Sequence, residues 1–157
     1  MFRFVPIVAI AVVVSVSVST AYGGVVAPSK PSQVVTLFQS GSSSCPTAGI
    51  ATNRVAMSDG TLASFVIPSS QVLVVTGFEW QASGVAGNGV TAILTTQASS
   101  AITSYATSTT TFDSAGVAFK NDLTPMIVIK PGRTICIAVT SGSIVSAFVH
   151  GFLAPDR

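Results

Sequence analysis

From Val34 to Leu153 the chain is a succession of short apolar, β-branched runs with Gly, Pro, Asn and Ser between them. The runs are Val34 to Phe38, Arg54 to Ser58, Leu62 to Ile67, Val72 to Trp80, Val90 to Thr96, Ile102 to Phe112, Val117 to Phe119, Met126 to Ile129, Ile135 to Thr140 and Ile144 to Leu153. None keeps an apolar period of about 3.6 residues over helical length, so a helix could not gather its apolar residues on one face. Strands of alternating character, bounded by turn residues, can. The expected fold is all-β: an antiparallel β-sandwich of jelly-roll or Greek-key type, with about 8 to 10 strands.

Turn chemistry supplies the corners. Asp59-Gly60 readily takes the positive φ angles of a two-residue hairpin loop, which would pair Arg54 to Ser58 with Thr61 to Ile67. Pro68-Ser69-Ser70 and Pro131-Gly132 each separate two apolar runs and mark tight corners. Gly84 to Gly89 reads as a hairpin tip, with Asn88-Gly89 suited to a primed turn. In the last run, Val145, Ala147, Val149, Gly151 and Leu153 alternate with Ile144, Ser146, Phe148, His150 and Phe152. The first set is expected on the core face and the second on the opposite face.

The N-terminus is a separate matter. After Arg3 no residue is charged until Lys30, and the most apolar part runs from Ile7 to Val18. A basic start, an apolar stretch and the small residues of Ala21-Tyr22-Gly23 make a secretory signal peptide, expected to be cleaved. A retained membrane anchor is the alternative, since the uncharged run is long enough to span a bilayer. The organisation expected is a signal at 1–23, a short linker at 24–32 and one β-sandwich domain at 33–157. Export places the protein outside the cytoplasm: secreted, periplasmic or on the cell surface. Cys45 and Cys136 are the only two cysteines, and an oxidising compartment favours a disulfide between them.

Charge is scarce, with 7 basic and 5 acidic residues and a net charge of +2. That excludes the dense Lys and Arg patch a nucleic-acid binder needs. The single histidine, His150, is the only candidate general base, no G-x-S-x-G elbow occurs, and no two of Asp59, Glu79, Asp113, Asp122 and Asp156 share a motif. Two thiols and one distant histidine do not make a metal site. Gly87-Asn88-Gly89-Val90-Thr91-Ala92, with Asp113 downstream, mimics a dinucleotide fingerprint, but a β-rich run follows it where a helix must open. No N-x-S/T sequon is present. The chain is therefore expected to be no enzyme, with no catalytic residue, metal, cofactor, nucleotide or nucleic-acid partner.

The function these observations favour is that of a non-enzymatic secreted or surface subunit, structural, adhesive or assembling. Its partner would be a second copy or another surface protein; a membrane enters only if the N-terminal segment is retained. The weakly charged, hydroxyl-rich stretch from Thr95 to Thr111 lacks the Lys and Pro that protect a sheet edge, so another chain could pair there. Candidate contact residues are Trp80, Tyr105, Phe148, His150 and Phe152. A carbohydrate-binding module, stacking a glycan on Trp80 and Tyr105, is the first alternative. A small secreted hydrolase built on His150 is the second.

Overall fold

The computed structural model describes residues 28–40, 53–55, 60–98 and 101–156, with the backbone alone at 53–55 and 125. After a single 3-10 turn at Pro31–Gln33 come β1 (Val34–Ser40), β2 (Asn53–Val55), β3 (Leu62–Ser64), β4 (Gln71–Ser83) and β5 (Gly89–Ala98). They are followed by β6 (Ala101–Thr111), β7 (Val117–Ile129), β8 (Thr134–Val139) and β9 (Ser143–Pro155). The protein is all-β, and the strand pairs are antiparallel. Six strands make one sheet in the order β3-β2-β1-β9-β4-β7, and three make another in the order β6-β5-β8. Among the described residues no helix is long and apolar enough to cross a membrane. The proposed signal, residues 1–23, lies outside the described residues.

One apolar core joins the sheets. From the larger come Val35, Leu37, Leu73, Val75, Phe78, Trp80, Ile127, Ile129, Val149 and Leu153; from the smaller, Val90, Ala92, Leu94, Ile135 and Ile137. Two polar seams stitch the sheets at their sides. On one side the buried Gln39 side chain of β1 reaches β8, where its Nε2 donates to the Ile137 carbonyl at 3.1 Å and its Oε1 accepts from Ile137 N–H at 2.9 Å. On the other, Trp80 Nε1 donates to Ser108 Oγ at 3.0 Å, and Ser108 donates to Asp122. Asp122 also pairs with Lys120 at 3.4 Å, whose Nζ donates to the Thr109 carbonyl at 3.1 Å. That second seam explains a run the apolar pattern divides. Val117 to Phe119 and Met126 to Ile129 are one strand, β7, because Lys120 and Asp122 turn toward β6, the one to the Thr109 carbonyl and the other to the Ser108 hydroxyl, rather than ending it. Pro125 is tolerated within it because β7 is an edge strand.

The alternation read along β9 holds from Ala147 to Leu153 and breaks before it. Ile144 is 2% exposed and Val145 46%, the reverse of expectation, because the register against β4 shifts between Gln81 and Ala82. An extra residue of this kind moves a side chain to the other face. A second irregularity, between Val75 and Gly77, appears in the pairing of β4 with both β9 and β7.

Gly84 to Gly89 is no hairpin tip, since β4 and β5 belong to different sheets and the segment crosses between them. Its turn is closed by Asn88 N–H donating to the Val85 carbonyl, and the residue at positive φ is Gly87, at 80°. Loop residue Phe112 holds this end, its N–H donating to the Asn88 carbonyl and its carbonyl accepting from Gly87. The pairing expected around Asp59-Gly60 is present between β2 and β3, but Val55 faces Leu62 rather than Ser64, two residues from the two-residue-loop register. Asp59 itself lies outside the described residues.

Candidate functional site

The core occupies one face of the six-stranded sheet; the outward face carries the candidate site. Because cross-strand partners share a face, the register lays out its rows. One row runs Val34, Phe152, Val74, Val128; the next Thr36, His150, Gly77, Leu123; the next Phe38, Phe148, Glu79, Asn121; and Gln81 stands beside Phe119 in the last. Val72, Val74, Phe152 and Ala154 bury one another as a cluster separate from the core. Beyond them Phe119, Met126, Val128 and above all Leu123, 90% exposed, are open to solvent. Apolar surface this continuous, on strands 13 residues long, is unusual for a face that only meets water.

Near the middle of the face is its one ion-pairing couple among the described residues. His150 Nε2 lies 3.2 Å from Glu79 Oε1, with the two side chains 38% and 27% exposed. A carboxylate only accepts, so the neutral ring carries its proton on Nε2 and leaves Nδ1 to accept from Thr36 Oγ1 at 3.5 Å. The ring lies parallel to Phe148, at 6° with centroids 6.4 Å apart, and Phe148 packs against Phe38 at 5.0 Å. A shallow pocket of about 240 Å³ opens beside that aromatic pair, lined by Phe38, Gly60, Leu62 and Phe148.

Three of the candidate contact residues, Phe148, His150 and Phe152, come together on this face, though Phe152 is already buried by its neighbours there. Trp80 is not a contact residue. It is 1% exposed, with its indole N–H spent on Ser108, since register places it on the core side of β4. Tyr105 is half-buried against the core from the other sheet and shares no surface with the β9 residues. The Thr95 to Thr111 stretch is divided between β5 and β6, and the β6 edge it forms is met at the Thr109 carbonyl by Lys120. Cys136 is buried in β8, with Thr95 Oγ1 at 3.5 Å from its sulfur. Cys45 lies outside the described residues. The segment after Gly87 is a strand, β5, not a helix, and Asp113 closes a local turn by accepting from Ala115 and Val117 N–H.

Sequence reasoning passed over Glu79, Leu123 and Phe119. Glu79 is 71 positions from His150 and becomes its partner only through the pairing of β4 with β9. Chemically, the Glu79–His150–Thr36 line can hold and orient a proton. Using Thr36 as a nucleophile would also demand free backbone donors beside it to hold an oxyanion. The chain matches no protein-family model, and no curated protein matches it.

Proposed function

We propose that this chain is an exported, non-enzymatic assembly subunit, and that it self-associates through the outward face of the six-stranded sheet. The observation that carries this reading is the apolar surface itself, from Phe38 and Phe148 across to Leu123 and Val128, in which the polar residues are Thr36, Gln81, Asn121 and one acid–histidine couple. Strand dimensions give the whole face roughly 700 Å², of which the patch at Val72, Val74, Phe152 and Ala154 is already covered in the single chain, against the roughly 800 Å² that each partner buries in a stable protein contact. A second copy is the occupant because an apolar face with almost no charge offers a foreign partner little to recognise, whereas it complements itself. Export rests on the signal-like N-terminus. A disulfide from Cys136 to Cys45 is part of the same reading, supported by burial of Cys136 and by the absence of a free cysteine among the described residues. The alternation of the chain between sheets, with β4 in the larger, β5 and β6 in the smaller, then β7, β8 and β9 changing sheet at each step, favours a sandwich of jelly-roll type.

Light scattering across a concentration series tests the function. Mass above one chain, falling on dilution, is the expected result; a single-chain mass up to the highest concentration overturns it.

A further inference from the structure

We infer that Glu79 and His150 make this self-association proton-linked, so that copies bind one another more tightly near pH 6 than near pH 8. The inference rests on the contact face just proposed.

The couple belongs to β4 and β9, the middle strands of the four long enough to form the face, so a copy seated there covers both residues. Covering them removes water from the Glu79 carboxylate. What then compensates its charge is decided by the groups around it. From β1 the ring meets Thr36 and, through Phe148, Phe38, neither ionisable. From β4 it meets Glu79 alone. From β7 the outward residues are Phe119, Asn121, Leu123, Met126 and Val128; the charged Lys120 and Asp122 turn the other way, to Thr109 and Ser108. His150 is therefore the only group on the described face that can neutralise Glu79.

Histidine is the side chain whose charge ordinarily changes between about pH 5 and 8. With the ring neutral, each copy takes one uncompensated negative charge into the contact, where it also meets the like charge of its partner. With the ring protonated, the couple enters as a neutral ion pair at 3.2 Å. Withdrawing an ion pair from water costs far less than withdrawing a lone carboxylate. Association therefore takes up protons. Each proton taken up per association event changes the association constant by about tenfold per pH unit.

The test is sedimentation equilibrium of the intact protein at pH 6 and pH 8, at the same ionic strength, on the parent and on Glu79→Gln and His150→Gln. The parent should associate at least about tenfold more tightly at pH 6. Glu79→Gln should associate at both pH values with nearly equal constants, because no charge is left to compensate. His150→Gln should also lose the pH dependence but remain weak, because the carboxylate stays. A parent that assembles with equal constants at both pH values overturns the proton linkage and leaves the contact face standing. A parent that stays single at every concentration and both pH values overturns the face and the linkage together. Should Glu79→Gln fail to fold, the His150→Gln comparison still decides: persistence of the parent's pH dependence in it overturns the inference.

Discussion

Gln39 meets Ile137 as a strand would, its side-chain amide supplying both the acceptor for the Ile137 N–H and the donor to its carbonyl. The two residues lie in different sheets, so a side chain does there what backbone does elsewhere, and it closes part of the β8 edge. Replacing it by Leu keeps the volume and strands two buried backbone groups. We expect Gln39→Leu to lose about 2 to 4 kcal/mol in chemical denaturation. A loss below about 1 kcal/mol would mean that the edge finds another partner.

On the opposite side, Ser108 is the relay between Trp80 and Asp122. Ser108→Ala orphans the indole N–H in the core and takes a donor from the carboxylate. The expected cost is about 2 kcal/mol, read as a shift of the denaturation midpoint, with Trp fluorescence as the natural probe. Trp80→Phe in the Ser108→Ala background should cost less than Trp80→Phe alone, because the hydrogen bond is already gone.

Thr96 makes the opposite case. It is buried in β5, and its Oγ1 has no hydrogen-bond partner among the described residues. Thr96→Val removes the unpaired hydroxyl and keeps the β-branched shape the strand favours. The expected outcome is a gain of about 1 kcal/mol, visible as a higher melting temperature. No gain would indicate that a water satisfies the hydroxyl.

Leu123 separates the stability of the fold from assembly. It is almost wholly exposed on an edge strand, so Leu123→Asp should leave the stability of the single chain within about 0.5 kcal/mol. It should weaken self-association by at least about tenfold in light scattering, because the new carboxylate would be buried in the contact. Unchanged association would move the contact elsewhere on the molecule.

These substitutions also mark how far the sequence could be read. The strands were legible wherever an apolar run was continuous, as in β5 and from Ala147 to Leu153 in β9. The middle of β7 was not, because Lys120 and Asp122 answer to β6, a strand in the other sheet. Half of the candidate face was legible too: Phe148 and His150 follow from alternation alone. The other half depends on register across strands, which joins Glu79 to His150 and sets Phe119 and Leu123 beside β4. Trp80 shows the limit plainly, because a lone Trp at the end of an apolar run has the same local pattern whether it faces sugar or core.

Along β4, Leu73 and Val75 look inward, and so do Phe78, Trp80 and Ala82. The first two are odd-numbered and the last three even, and the change of parity happens across Thr76, whose hydroxyl donates to the His150 carbonyl at 3.3 Å. Inside and outside are thus assigned by counting, and one residue resets the count. Paired regularly, without the extra residue accommodated at Thr76, the same strand would bring Gly77, Glu79 and Gln81 to the interior while sending Phe78 and Trp80 to the solvent, or else evert Leu73 and Val75; deleting Thr76 would instead restore simple alternation and keep both sets inward. The polarity of β4, and with it the surface offered to a second copy, hangs on that one residue being taken up as a bulge rather than paired in the ladder.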